Sequence, residues 1–463
     1  MTMNSTEIQQ AKESVEAILK DSLSMFTDHP TKRNLTEKFN SDTSLAQSYH
    51  GRELLELVQN ADDAYVDYGA SDGALNDVLI EYIGDTLRVS NKGKVFDKEA
   101  VERLSQGNVS GKGVQYIGNK GIGFRSLLNW AKEIRIYSGC YSFGFSKTFA
   151  NKQFTSLKDN HDNIQREIKD KPGLSFPILW APYWIEENKK APDYDTTVEV
   201  ILDADALGDE WNVQKQIEEF DYNVLLFLQN ISKISIKTEF DCYAFIKESE
   251  KKNGMNKCHL KRVDFKDGGK TVDEKQYYCF KRDDEEIEAD GVKSLLKMTV
   301  AIPCSFEPME SCLYTFFPIK NEVCPVPSLL HATFLLEQNR STIQNSKLNT
   351  EIYKKLLGFY VSTVIGAFTK KEYGNTVARL LTPFEFPLKF FDVSVFYTEL
   401  CAEKLSIMNV NGDFIPLSKK PRIYDVVPSF FGGDKFELLC QSIEDKNDYS
   451  GAAEPPVRRS ESH

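Results

Sequence analysis

No pair of cysteines in this chain stands at C-x-x-C spacing. The nine present, Cys140, Cys242, Cys258, Cys279, Cys304, Cys312, Cys324, Cys401 and Cys440, are odd in number and scattered. That argues against a zinc framework and suits a reducing compartment. Cys258 beside His259 has no second pair spaced to complete a metal site. Long apolar runs are missing too: none reaches the about eighteen residues that a membrane-crossing helix needs. The longest, LLGFYVSTVIGAF from Leu356 to Phe368, reads as a buried core helix. The first thirty residues are polar and charged, without the apolar core of a secretion signal, so the expectation is a cytoplasmic protein with no membrane partner. Positive charge is short as well. Lys and Arg number 57 against 69 Asp and Glu, a net charge of −12, and no basic stripe interleaves with aromatics. A dedicated nucleic-acid surface is therefore disfavoured. Walker spacing is absent, because in SGKG the residues Gly107, Gly111 and Lys112 are misplaced and Gly113 stands where Ser or Thr is required. A dinucleotide fingerprint fails as well, since the later glycines run G-x-x-G-x-G with no strand feeding them directly.

With 463 residues, 41% of them hydrophobic, the chain is long and apolar enough for a packed core and two or three domains. Residues 1 to 50 carry helical patterns and form an N-terminal extension. Residues 51 to 205 alternate helix and strand, from DVLIEYIG and TLRVSN through EIRIYS and YSFGFSK to TTVEVILD. From 206 to 375 a helix, VQKQIEEFDYNVLLFL, precedes successive strand-like pieces, a mainly antiparallel texture. Residues 376 to 449 are mixed, and 450 to 463 are expected to form a flexible tail. The expected class is α/β, a two-layer unit followed by a β-rich α+β unit.

ELLELVQNADDAY, residues 53 to 65, is the most informative segment. At about 100° per residue, Glu56, Asn60 and Asp63 fall within roughly 60° of one another, opposite Leu54, Leu57, Val58, Ala61, Ala64 and Tyr65. Surface stripes are usually built of Lys, Arg, Glu and Gln, and Asn and Asp each cost about half a kcal/mol inside a helix. Inside this stretch no Lys or Arg lies three or four residues away to support them. The stripe reads as chosen for chemistry. Downstream, IGNKGIGFRSLLNWA puts Gly118, Gly121 and Gly123 just before a helix, where free N–H groups and the helix dipole face an anion. Read alone, such a turn cradles a phosphate or is merely a turn.

Taken in order, a helix with E-x-x-x-N-A-x-D-A, a strand ending in VSNKGKVF, then GNKGIGF and DTTVEV resemble the GHKL ATP-binding fold. That fold is shared by the ninety-kilodalton heat-shock chaperone, type II topoisomerases, MutL proteins and sensor histidine kinases. LVQNADDA and NKGIGFRS look most like its sacsin-type branch. The resemblance covers roughly residues 50 to 205, and 220 to 345 more loosely. It implies an α/β sandwich that binds ATP and Mg²⁺ and a transducer-like domain after it.

Under this resemblance Glu56 polarises the attacking water; a partly desolvated carboxylate can serve as a general base near neutral pH. Asn60 is the Mg²⁺ ligand, its amide oxygen completing an octahedral shell with waters and phosphate oxygens. Asp63 faces the nucleotide from the same helix. Asn91 stands where most of the fold has an aspartate reading the adenine amino group, followed by Gly93 and then Val95 in place of a second glycine. Its oxygen still accepts from that group, without the charge. Gly118, Asn119, Lys120, Gly121, Ile122, Gly123 and Phe124 match the phosphate loop, and residues 105 to 117 a mobile lid bearing Lys112, either a phosphate ligand or a solvated lysine. Thr196 is on the adenine side or is an ordinary strand residue. In LLHATFLLEQNRSTI, Arg340 is either the basic sensor of the γ-phosphate or a surface or capping arginine. No phosphoacceptor-histidine helix is present, which speaks against a histidine kinase. The implied activity is slow ATP hydrolysis used as a switch, with closure or homodimerisation and a protein client, in a chaperone-like or defence setting. The alternatives are a nucleotide-sensing scaffold and a MutL-type DNA-transaction ATPase.

Overall fold

The computed structural model describes residues 5–27, 34–65, 76–106, 123–171, 173–252, 254–266, 268–306, 312–324, 326–337, 341–373, 376–381, 406–408, 413–416, 422–423 and 449–450. Contacts divide the chain into two compact units, Met1–Glu248 with His259–Glu274, and Ser249–Cys258 with Lys275–His463. The architecture is α/β.

In the first unit the helices are α1 (Ser5–Thr27), α2 (Leu35–Ser48), α3 (Glu53–Ala64), α4 (Lys98–Gln106), α5 (Lys147–Asn160), α6 (Asp162–Ile168), α7 (Ala204–Leu207) and α8 (Val213–Glu218). Its strands are β1 (Asp77–Ile83), β2 (Thr86–Asn91), β3 (Ala131–Ser138), β4 (Tyr141–Ser146), β5 (Tyr183–Trp184), β6 (Thr196–Leu202), β7 (Lys233–Thr238) and the first part of β8 (Cys242–Lys252). They hydrogen-bond in the order β8-β7-β1-β2-β6-β3-β4-β5. Every pairing is antiparallel except β1 with β7, which runs parallel from Asp77↔Lys233 to Tyr82↔Thr238.

Alternation within these strands makes the two layers. Val78, Ile80, Leu87, Val89, Ile134, Ile136, Val198 and Val200 are buried, and each fully buried aliphatic side chain contributes about 1.5–3 kcal/mol. The intervening positions carry charges that meet across the ladder. Glu81 pairs with Arg88, and Arg88 with Glu199 in turn. Arg135 lies opposite Glu199 and donates to it at 3.1 Å. One face of the sheet therefore takes helices and the other stays polar. α1 buries Ala11, Val15, Ile18, Ser22 and Met25, a three-to-four-residue spacing, and ends with Phe26 edge-on to Phe176 and Trp180. α2 opens on Asn34, whose side chain accepts from the Glu37 N–H at 2.9 Å.

Two segments expected as helices differ in form. SLLNWA is the end of a 3₁₀ helix, Gly123–Asn129, because β3 begins at Ala131 and the Ser126 hydroxyl donates back to the Gly123 carbonyl at 2.6 Å. VQKQIEEFDYNVLLFL breaks into α8 and a 3₁₀ helix, Tyr222–Leu226. Asp221 starts the second piece by accepting from the Asn223 N–H.

The second unit holds the end of β8 and the start of β9 (Met255–Asp264), most of β10 (Lys270–Ala289), β11 (Val292–Pro303), β12 (Cys312–Thr315), β13 (Phe317–Val323) and β14 (Leu329–Ala332). β10 pairs with β11, and β11 with β14, in antiparallel fashion; β14 pairs in parallel with β12. Helix α9 (Lys347–Phe368) lays Leu348, Ile352, Leu356, Tyr360, Val364 and Phe368 on Met298, Val300, Ile302 and Leu330. The apolar run LLGFYVSTVIGAF is thus core. Among the described residues no helix is long and apolar enough to cross a membrane.

Candidate functional site

α3 packs its apolar stripe against β2, burying Leu54, Leu57, Val58 and Ala61. Three of its acidic residues are buried as well, and each has its own use. Glu53 is fully buried and accepts from the Gly51 N–H at 2.9 Å, Gln216 Nε2 at 2.6 Å and Asn129 Nδ2 at 3.1 Å. His50 Nδ1 lies 2.8 Å from the same carboxylate, and its Nε2 lies 2.9 Å from Asp209. The Glu53 bond is the main cause that raises the His50 pKa above its ordinary value, outweighing partial burial, with the charges of Glu53 and Asp209 adding. Asp62 takes the backbone N–H groups of Gln229, Asn230 and Ile231 at 3.1, 2.8 and 2.8 Å, tying α3 to the approach of β7. Glu56 is the third, at 4% exposure.

The Glu56 carboxylate lies against Gly123. A Cβ built on that glycine would sit 2.0 Å from Glu56 Oε2. The first residue of the 3₁₀ helix therefore has no side chain because a carboxylate fills the space. Phe124 beside it is buried. Asn60, one turn beyond Glu56, is exposed, and Asp63 is half-buried. The stripe thus runs from a buried carboxylate at Glu56 to an exposed amide at Asn60. Among the described residues no group of three or more His, Cys, Asp or Glu could hold a metal.

Asn91 and Thr196 stand directly opposite each other on β2 and β6. Both are buried. Thr196 shares a 2.6 Å hydroxyl contact with Ser138, and Ser138 accepts from the Phe96 N–H at 3.0 Å. The Asn91 amide donates to the Lys92 carbonyl at 2.8 Å. Gly93 has φ +125°, and a Cβ there would lie 2.2 Å from the Ala64 carbonyl oxygen at the end of α3. The next N–H, of Lys94, donates to that oxygen at 2.7 Å. Close approach and backbone angle both require glycine here. Around this corner Tyr194 donates to the Asp77 carboxylate at 2.8 Å and Tyr65 to the Asp77 carbonyl at 2.7 Å. Burial and the Asp77 bond push the Tyr194 phenol well above its usual pKa.

Of the residues singled out from the sequence, two groups come together. Glu56 meets Gly123, and Asn91 meets Thr196 beside Gly93. Both groups adjoin α3, one through Glu56 and the other through its C-terminal carbonyl. Lys112, Gly118, Asn119, Lys120, Gly121, Ile122 and Arg340 lie outside the described residues, as does most of the expected lid. Sequence reasoning missed Glu53, Asp62 and Asp195. In NADDA the two adjacent aspartates point about 100° apart, so one faces the stripe and the other the core. Only the partner of Asp62, far along the chain, shows which is which.

The chain matches no protein-family model and no curated protein. Among solved structures it is similar to the B-subunit of DNA gyrase from Myxococcus xanthus, with 10% identity and a TM-score of 0.36, over 68% of this chain and 89% of that one.

Proposed function

We propose that the first unit binds Mg-ATP and hydrolyses it slowly, as a switch. The observation that carries this reading is the packing of Glu56 on Gly123, which brings a largely buried carboxylate to the downstream end of the glycine segment. Held there, Glu56 accepts a proton from water as the water oxygen bonds to the γ-phosphorus and the bond to the β-phosphate oxygen breaks, giving ADP and phosphate. Bound magnesium, held through the Asn60 amide oxygen and waters, would supply charge neutralisation on the phosphates. Asn91 and Thr196, paired across β2 and β6, form the adenine side. Gly118 to Phe124 with Lys120 are assigned to the phosphate side from their sequence pattern, with Lys112 as a further basic candidate. Closure over the nucleotide would drive rearrangement or dimerisation towards a protein client.

The test is Mg-ATP binding and phosphate release measured side by side on the wild type and on Glu56→Ala. We expect both proteins to bind and only the wild type to release phosphate, with a loss of about a hundredfold or more, in the range of a general base. Binding without release in either protein would make the unit a nucleotide sensor. No binding in either would sink the reading.

A further inference from the structure

We propose that Asp195 is a positioning residue of the nucleotide site, orienting the Asn91 amide so that its oxygen is offered to a base carrying an exocyclic amino group. This rests on the reading of the first unit as ATP-binding.

The turn after β2 has no ladder of its own, and three contacts pin it. The Lys94 N–H goes to the Ala64 carbonyl and the Phe96 N–H to the Ser138 hydroxyl. The third is the Gly93 N–H, which donates to Asp195 Oδ2 at 3.0 Å. Asp195 also grips the strand end, its own N–H donating to the Asn91 carbonyl at 3.0 Å, while its carbonyl accepts from the Gly139 N–H at 3.3 Å. It therefore holds the chain on both sides of Lys92.

That grip decides which end of the Asn91 amide is presented. The Gly93 N–H and the Lys92 carbonyl belong to one peptide unit, which is planar and trans, so fixing the N–H toward Asp195 points the carbonyl the opposite way. The Lys92 carbonyl is what receives Asn91 Nδ2, at 2.8 Å. One N–H of the amide is thereby engaged, which fixes the sense of the amide and turns its oxygen away from the Lys92 carbonyl as the acceptor. The chain of causes runs from carboxylate to peptide plane to carbonyl to amide. Without the Asp195 carboxylate the peptide can turn over, which the glycine backbone permits, and the Asn91 amide loses its preferred sense. Adenine offers an amino group at the position where hypoxanthine offers a carbonyl. An amide locked with its nitrogen on the Lys92 carbonyl offers its oxygen and favours the first, and an unlocked one discriminates poorly.

The experiment measures Kd for Mg-ATP and Mg-ITP on the wild type, Asp195→Ala and Asp195→Asn, with thermal melts alongside. We expect the wild type to prefer ATP and D195A to narrow the ATP:ITP ratio about tenfold, the scale of one lost hydrogen bond to a charged group. D195N, which keeps an acceptor, should narrow it by about threefold. A role in folding alone would lower the melting temperature and weaken both nucleotides equally, so an unchanged ratio in D195A overturns the proposal. Should D195A lose its cooperative melt, the ratio in D195N decides by the same rule. A wild type that binds neither nucleotide overturns the ATP reading beneath it, an outcome separate from an unchanged ratio.

Discussion

A methyl group added at Gly123 meets a movable obstacle, whereas one added at Gly93 meets a fixed one. At Gly123 the Cβ would lie 2.0 Å from Glu56 Oε2, the far end of a side chain that can swing away. Gly123→Ala should therefore cost only about 1–2 kcal/mol of stability. The displaced carboxylate, however, is the proposed base, so phosphate release from bound Mg-ATP should fall at least about tenfold. Urea unfolding and single-turnover release on one preparation would separate the two effects, and release at the wild-type rate would detach Glu56 from the chemistry. At Gly93 the Cβ would lie 2.2 Å from the Ala64 carbonyl, which is backbone, and φ is +125°. Gly93→Ala must move the chain itself, and a loss of about 2–4 kcal/mol in the same unfolding measurement is expected. The sequence shows both as glycines in turns. Only the neighbour each one touches tells them apart.

α3 is held at its start by a histidine that spans two carboxylates. His50 reaches Glu53 on one side and Asp209 on the other, and its pKa is raised from 6.5. A group whose folded pKa exceeds its unfolded one contributes its stability in full below the unfolded value and loses it as pH rises through the folded value. The contribution from His50 is therefore present in mildly acidic solution and disappears on the alkaline side of its ordinary pKa. The wild-type melting temperature should fall relative to His50→Gln as pH rises from about 6 to about 8.5. The effect should be modest because the ring is partly exposed. Parallel melting curves for the two proteins across that range would contradict the assignment. The polar stripe of this helix was legible beforehand because helical periodicity alone places Glu56, Asn60 and Asp63 together. The anchoring of Glu53 and Asp62 was not, since their partners Gln216 and Gln229–Ile231 lie more than one hundred and fifty residues away. The pairing of Asn91 with Thr196 was hidden in the same way, behind the antiparallel register of β2 and β6.

Across the first unit as a whole, the N-terminal extension is built into the site's support, and one buried ion pair shows how. Asp42 on α2 accepts from Arg125 Nε at 3.1 Å and from Lys38 Nζ at 2.7 Å. Arg125 is 2% exposed and Asp42 3%. Arg125 follows Gly123 by two residues in the 3₁₀ helix, so the carboxylate from α2 holds the element whose first residue meets Glu56. From the sequence the first fifty residues read as an extension outside the nucleotide-binding unit, and nothing in FRSLL marks its arginine as bound for the core. Taking away one partner of a buried pair leaves the other charge desolvated, which costs about 3–5 kcal/mol, far more than loss of an exposed pair. Asp42→Ala should therefore lower the unfolding free energy by about 3 kcal/mol. Lys94, whose contact with Asp97 is 3.9 Å and exposed, supplies the control: Lys94→Ala should change stability by less than about 1 kcal/mol. Because the pair also fixes the 3₁₀ helix, saturating Mg-ATP should recover part of the loss in Asp42→Ala, ligand binding to the folded state adding about 2.7 kcal/mol at a hundred times Kd. Equal unfolding free energies for the two variants would mean that α2 does not support the site.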